Sequence, residues 1–136
     1  MAMNIGLFVF ATNTTLDPAI LAKHAEELGF ESFWVPEHPI IPVKTTSPYR
    51  SSPDGVIPDP YMRILDPFVA LARASAVTTT IKLGTGICLV PEHNPLLLAK
   101  EIATLDHLSG GRFLFGIGAG WLQEETEIMG GDFPHR

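Results

Sequence analysis

Cysteine, clustered positive charge and long apolar runs are all scarce in this sequence, and each scarcity excludes a class of protein. The chain has one cysteine, Cys88, among 136 residues. No internal disulfide can form, so we expect Cys88 to be a small core residue in a protein of the reducing cytoplasm. Nine basic residues are scattered among fifteen acidic ones, for a formal net charge of -6. Such a chain lacks the positive patch with which proteins bind nucleic acid.

No apolar run approaches the roughly 20 residues that a membrane-spanning helix requires, so we expect no membrane partner. The apolar run at residues 5–11 has no basic residue before it, and it predicts a first strand rather than a signal peptide. Hydrophobic residues make up 46% of the chain, which is enough for one core at this length but not for two. The sequence therefore predicts a single domain over residues 1–136.

Apolar, strand-like segments alternate with helical segments that begin at Asp-Pro or Asn-Pro pairs. An Asp or Asn accepts hydrogen bonds from the first helical turn, and proline suits the position after it. The alternation β-α-β-α-β-α-β predicts an α/β fold with parallel strands. Strands are predicted at residues 4–10, 32–36, 81–87 and 112–117, and helices at 17–29, 66–77 and 94–109.

Residues 39–65 hold six prolines and show no sustained period. A loop this long in a compact domain is usually a lid, a binding loop or an insertion. Because it follows Glu37 and His38 directly, we predict that it lies over a functional site, with a tolerated surface insertion as the alternative.

In parallel α/β folds, ligands bind at the carboxyl ends of the strands. Glu37 and His38 follow the second strand there, and an imidazole can exchange a proton near neutral pH. We predict His38 as a catalytic acid or base, although a histidine packed under the loop fits equally well. Glu37 is the second catalytic candidate, and its alternative is an orienting or ion-pairing role.

Two further patterns carry weaker signals. Glu92 and His93 repeat the acid-histidine pair, so together with Glu37 and His38 they could bind a metal. No carboxylate at the fourth strand completes the set, and we predict no metal.

The third and fourth strands have glycine-rich ends, at residues 84–87 and 116–121, which suggest close approach of a flat ligand to the backbone. A nucleotide or S-adenosylmethionine binder remains an alternative, although its glycine turn usually follows the first strand.

Several stretches together resemble one known family: NIGLF, LGFESFWVPEH, IKLGTGI, the run from NP through LLAKEIATLDHLSGGRFLFGIGAGW, and the EE pair at 124–125. The chain resembles the N-terminal half of the luciferase-like monooxygenases, which are flavin- or deazaflavin-dependent TIM-barrel oxidoreductases. Within that family it is most similar to the branch that uses coenzyme F420, with FMN as the alternative cofactor. The resemblance implies four β-α units, half of a (β/α)8 barrel with parallel strands.

The resemblance also implies roles for particular residues. The cofactor ring is expected at the barrel mouth against a bulge that often contains a non-prolyl cis peptide, and Gly86 and Ile87 match that position. The segment Gly118, Ala119, Gly120 and Trp121 matches the stretch that passes the cofactor. Trp121 falls where some deazaflavin dehydrogenases place a catalytic carboxylate, so their sugar-phosphate chemistry is not implied.

The implied reaction is hydride transfer between the cofactor and a small organic substrate, with His38 supplying or removing a proton. Oxygen insertion is the alternative with a reduced flavin. Because family members are about twice as long, we expect a truncated chain that self-associates into a homo-oligomer through open sheet edges. A non-catalytic flavin-binding or dimerisation half-barrel is the competing hypothesis.

Overall fold

A computed structural model describes residues 3–136, so the first two residues of the predicted domain lie outside it. The helices and strands alternate as predicted, and the fold is α/β with parallel strands. The strands are β1 Gly6–Phe8, β2 Ser32–Val35, β3 Lys82–Thr85, β4 Cys88–Leu89, β5 Phe113–Leu114 and β6 Ile117–Gly118. The helices are α1 Pro18–Glu27, α2 Pro67–Ser75, α3 Pro95–Ser109 and α4 Gln123–Ile128, with short 3-10 helices at Asp59–Arg63, Val90–Glu92 and Phe133–His135.

The main sheet has the order β1-β2-β3-β5, and every pair in it is parallel. Strands β4 and β6 form a separate parallel pair just beyond the carboxyl ends of β3 and β5. All carboxyl ends therefore lie on one edge, where the loops after them can meet. The outer edges at β1 and β5 have no partner strand within residues 3–136, and self-association through them stays a prediction.

The third and fourth predicted strands are each interrupted, which corrects the sequence prediction. Thr85 explains one interruption, because its hydroxyl donates to the Gly116 carbonyl at 2.8 Å and accepts from the Gly116 amide at 3.1 Å. Side-chain bonds thus replace the backbone ladder at this point. The second pair then begins where the Cys88 amide donates to the same Gly116 carbonyl at 2.8 Å.

The helices begin at the predicted capping residues. The side chain of Asp17 accepts from Ala19, that of Asp66 accepts from Val69, and that of Asn94 accepts from the first turn of α3. Each cap satisfies amide groups that would otherwise lack partners at a helix start. None of these helices is long and apolar enough to cross a bilayer within the described part of the chain.

The core lies between the sheet and helices α1 to α3. Phe33, Leu71, Leu83 and Cys88 are fully buried there, so the prediction that Cys88 is a core residue is confirmed. The glycine in the middle of β3 serves packing rather than a ligand, because a Cβ on Gly84 would lie 2.3 Å from the ring of Trp34.

We expect Leu71→Ala to lower the free energy of unfolding by about 2–5 kcal/mol, since it opens a cavity in the core. Leu71 is 0% exposed, whereas Leu28, at the end of α1, is 77% exposed. Leu28→Ala removes the same atoms from the surface and should change stability by less than about 0.5 kcal/mol. Urea titration of the two variants measures the difference, and similar midpoints would contradict this core.

Candidate active site

A cavity of about 440 Å³ lies at the carboxyl ends of the strands. Its wall contains seven of the eight residues predicted for the site, and the eighth, Gly118, is not part of it. A Cβ on Gly118 would lie 1.7 Å from Cδ1 of Ile87, so this glycine makes room for a side chain. The cavity is lined by Phe8, Phe10, Pro36, Glu37, His38, Tyr61, Gly86, Ile87, Leu89, Ala119, Gly120 and Trp121.

The peptide bond between Gly86 and Ile87 is cis, which confirms the expectation for this position. The bend joins β3 to β4, and the Gly86 amide donates to the Val35 carbonyl at 2.8 Å, which fixes the bend against β2. The Ile87 side chain is 41% exposed. Both Gly86 and Ile87 line the cavity.

His38 is held from below by Glu125 of α4. Nδ1 of His38 lies 2.6 Å from Oε2 of Glu125, and their side chains are 6% and 0% exposed. Nε2 makes no hydrogen bond with residues 3–136, and it is not fully buried. The rings of Tyr61 and Trp121 lie beside the imidazole, at centroid distances of 5.3 and 5.8 Å. Nε2 is thus the ring nitrogen that is open to the cavity.

Glu125 is the functional residue that residue-by-residue reasoning missed. In the sequence it is half of an acidic pair with no predicted role, and no carboxylate is predicted near the fourth strand. Its contact with His38 spans 87 positions of sequence. A signal was present in the sequence, since an acid in the first turn of a helix that follows a strand end lies near the site edge.

Glu37 reaches the cavity wall but directs its carboxylate into the protein. Oε2 accepts from the Leu89 amide at 2.6 Å, and both oxygens lie 3.0–3.1 Å from Nε2 of His93. The thiol of Cys88 lies in the same cluster, with all three donor atoms within 4.8 Å of one another. Burial and the nearby Glu37 carboxylate raise the pKa of the Cys88 thiol, so it stays protonated. The arrangement is a hydrogen-bonded cluster of three possible metal ligands, and the absence of a metal stays a prediction.

Acidic residues of α4 also anchor the long loop. One oxygen of Glu125 accepts from the Ile40 amide at 3.2 Å, and Glu124 accepts from the Thr46 hydroxyl at 2.8 Å and the Ser47 amide at 3.1 Å. Hydrogen bonds from Thr46 and Ser47 lower the pKa of Glu124 to about 2. The loop contact is therefore fully formed at neutral pH and is lost only as the pH falls through that value.

The anchored loop lines one side of a second, open cavity of about 580 Å³, and Trp121, Phe133 and Arg136 line the other. Tyr61 and Trp121 line both cavities, so the two are neighbours across these rings. Tyr49 adds a third ring, and its hydroxyl lies 3.0 Å from that of Tyr61. The loop thus forms an aromatic wall between the cavity at His38 and the outside.

We expect Glu124→Ala to loosen the loop while the core stays folded, because Thr46 and Ser47 lose their acceptor. Trypsin should then cleave after Lys44 or Arg50 several times faster, as measured by mass spectrometry of a digestion time course. Glu127 lies on the same helix, and within residues 3–136 its side chain hydrogen-bonds only to Gln123 of that helix. Glu127→Ala should therefore digest like the unaltered chain, and equal acceleration in both variants would contradict the anchor.

A family model for luciferase-like monooxygenases matches residues 3–136. An uncharacterised protein of Mycobacterium tuberculosis is 49% identical over 124 residues, which cover 90% of this chain and 44% of that protein. The coenzyme F420-dependent tetrahydromethanopterin reductase of Methanopyrus kandleri is 30% identical, with a TM-score of 0.67, and the match covers 96% of this chain and 31% of the reductase.

The oxygenating constituent of 3,6-diketocamphane monooxygenase of Pseudomonas putida, solved with FMN, has a TM-score of 0.72 at 23% identity, covering 95% of this chain and 33% of that one. At this identity the likeness shows the fold alone. The chain thus spans less than half the length of these relatives. By its family match and its fold, the chain belongs to the luciferase-like monooxygenase family.

Proposed function

We propose that this chain forms the cofactor-facing part of an oxidoreductase that uses coenzyme F420 to transfer a hydride to or from a small organic substrate. The observation that carries the proposal is the position of His38. Its Nδ1 is held by Glu125, and its other nitrogen is open to a cavity that the Gly86-Ile87 backbone also lines.

The cavity suits a flat fused ring. Its volume of about 440 Å³ is within the range usual for ligand sites, roughly 300–1,000 Å³. Apolar and glycine residues form most of the wall, and Glu37, His38 and Tyr61 are its ionisable members. A Cβ on Gly86 would lie 3.2 Å from the ring of Phe8, so a larger residue there would narrow the space.

When bound, such a ring supplies the hydride chemistry, and the protein positions it. Within the cavity, His38 donates or accepts the accompanying proton through Nε2. Glu125 fixes the orientation of the imidazole and stabilises its charged form. The rings of Tyr61 and Trp121 flank the imidazole, at centroid distances of 5.3 and 5.8 Å.

Glu37, the second catalytic candidate, acts as a positioning residue in this proposal. Its carboxylate binds the Leu89 amide and His93 rather than a cavity atom. Leu89 itself lines the cavity, so Glu37 fixes one wall. The substrate would enter from the second cavity, under the aromatic wall of the loop.

Coenzyme F420 is supported by the F420-dependent reductase that is 30% identical to this chain. FMN stays the second candidate, because the chain belongs to the luciferase-like monooxygenase family and the resemblance to that family implies either a deazaflavin or a flavin. Both cofactors carry a three-ring system of similar shape, so the wall of the cavity does not discriminate between them.

Titration with oxidised F420 and with FMN, followed by absorbance and fluorescence, tests the cofactor. Gly120 and Gly29 share a φ of 82°, so the backbone strain on alanine is the same at both positions. A Cβ on Gly120 would in addition lie 3.1 Å from Oε1 of Glu92, whereas a Cβ on Gly29 has no neighbour within 4 Å in the described residues. Only Gly120 lines the cavity. We expect Gly120→Ala to weaken cofactor binding about tenfold or more and Gly29→Ala to leave it within about twofold. Cofactor binding without turnover in the intact enzyme favours the non-catalytic module, and binding of neither cofactor refutes the proposal.

His38→Asn tests the proton-transfer role, because the amide can keep the contact with Glu125 while Nε2 is lost. In the intact enzyme we expect the chemical step to slow by about 10²–10⁴-fold, with cofactor affinity within about threefold. Rapid-mixing kinetics separates the two quantities. His24→Asn, on the exposed face of α1, is the control and should change neither. Similar losses of rate and affinity in His38→Asn would contradict the role.

A further inference from the structure

Glu92 has a buried carboxyl group that the proposed reaction does not use. The residue is 2% exposed, and Oε1 accepts from the Thr126 hydroxyl at 2.8 Å. Oε2 is buried and has no hydrogen-bond partner within residues 3–136. Buried polar atoms without a partner are rare in folded proteins, and each calls for an explanation.

Glu92 lies directly behind the pair of His38 and Glu125. Thr126, which binds Glu92, is the neighbour of Glu125 on α4. The Glu92 carboxyl also lies against the turn that lines the cavity, because a Cβ on Gly120 would be 3.1 Å from Oε1. One layer of protein thus separates this acid from the cavity.

The charged groups around Glu92 come from three elements. Burial, Glu125 of α4 and Glu37 after β2 raise the pKa of Glu92 to about 7, while the Thr126 hydroxyl and His38 act in the opposite direction. His93 and the Cys88 thiol lie beside the Glu37 carboxylate. The side chain of Arg136 donates a hydrogen bond to the Gly120 carbonyl.

We infer that Glu92 is a positioning residue that holds a proton behind the His38-Glu125 pair and, on losing it, favours the charged form of His38. The released proton passes to bulk water. Below neutral pH Glu92 is uncharged and leaves the pair unaffected. As the pH rises, its new negative charge opposes loss of the His38 proton, so the histidine remains a proton donor over a wider pH range. Only the role of His38 in the reaction rests on the proposed function; the coupling between Glu92 and His38 does not.

Nuclear magnetic resonance of the histidine ring nitrogens tests the coupling without cofactor or turnover. In the unaltered chain, the His38 signals should follow a broadened curve between pH 5 and 9, because two sites titrate together. In Glu92→Gln the curve should become a single step with its midpoint about 0.5–1 pH unit lower. Glu127→Gln removes an equal charge from the exposed face of α4 and should leave the curve within about 0.1 unit.

Two further variants keep the test decisive if glutamine disturbs the fold. Thr126→Val removes the one hydrogen bond that favours the charged carboxyl, so the part of the curve due to Glu92 should move to higher pH. Glu92→Asp retains a carboxyl and should retain the broadened curve. An unchanged His38 curve in a folded Glu92→Gln, or an equal shift in Glu127→Gln, would overturn the inference.

The outcome is separable from that of the proposed function. If the curve shifts as expected but neither F420 nor FMN binds, the coupling stands and the oxidoreductase proposal fails. If a cofactor binds and the curve does not move, Glu92 has only a structural role.

Discussion

The contact between His38 and Glu125 organises this end of the molecule. It joins the end of β2 to α4, two segments that are 87 positions apart, through side chains that are almost completely buried. The second oxygen of Glu125 binds Ile40 and so sets the direction in which the long loop leaves the strand. Removing one partner of such a buried pair typically costs about 3–5 kcal/mol, because the other is left without compensation. A substitution at either residue should therefore destabilise the protein, and the intact pair holds the imidazole in a fixed orientation.

The shape of the cavity depends on a few fits between large and small residues at the strand ends. Trp34 occupies the space above Gly84, Ile87 occupies the space above Gly118, and Gly116 lies against the Thr85 carbonyl. A Cβ at any of these glycines would overlap its neighbour. These fits hold β3 and the β4-β6 pair close together, so that the backbone at Gly86 and Ile87 faces the cavity.

Much of the fold follows from local patterns, because helix caps, apolar runs and alternation of elements involve residues that are close in sequence. Those patterns predicted three helix starts, the parallel sheet and the edge at which His38 lies. They did not predict that the Thr85 side chain would interrupt a strand or that Gly84 would make room for a tryptophan ring, since both depend on contacts across the sheet. The partner of Glu125 is likewise set by the tertiary fold, so its place in the first turn of a helix after a strand end indicated nearness to the site but not the contact with His38.

The site is divided into two layers with different physical tasks. Apolar rings and aliphatic side chains form the cavity itself, where a flat ligand gains from exclusion of water. Beneath that layer lie three buried carboxyl groups, those of Glu37, Glu92 and Glu125. Three negative charges at such depth would repel one another strongly, so the cluster persists only if its members differ in what they bind. The Glu37 carboxylate binds the Leu89 amide and His93, and the Glu125 carboxylate binds His38 and the Ile40 amide. Within residues 3–136 the Glu92 carboxyl has one hydrogen-bond partner, the Thr126 hydroxyl. Glu92 has the fewest hydrogen-bond partners of the three, and burial together with the charges of Glu125 and Glu37 raises its pKa to about 7. The difference in partners therefore separates the one acid that the proposed reaction does not use from the two that support the site.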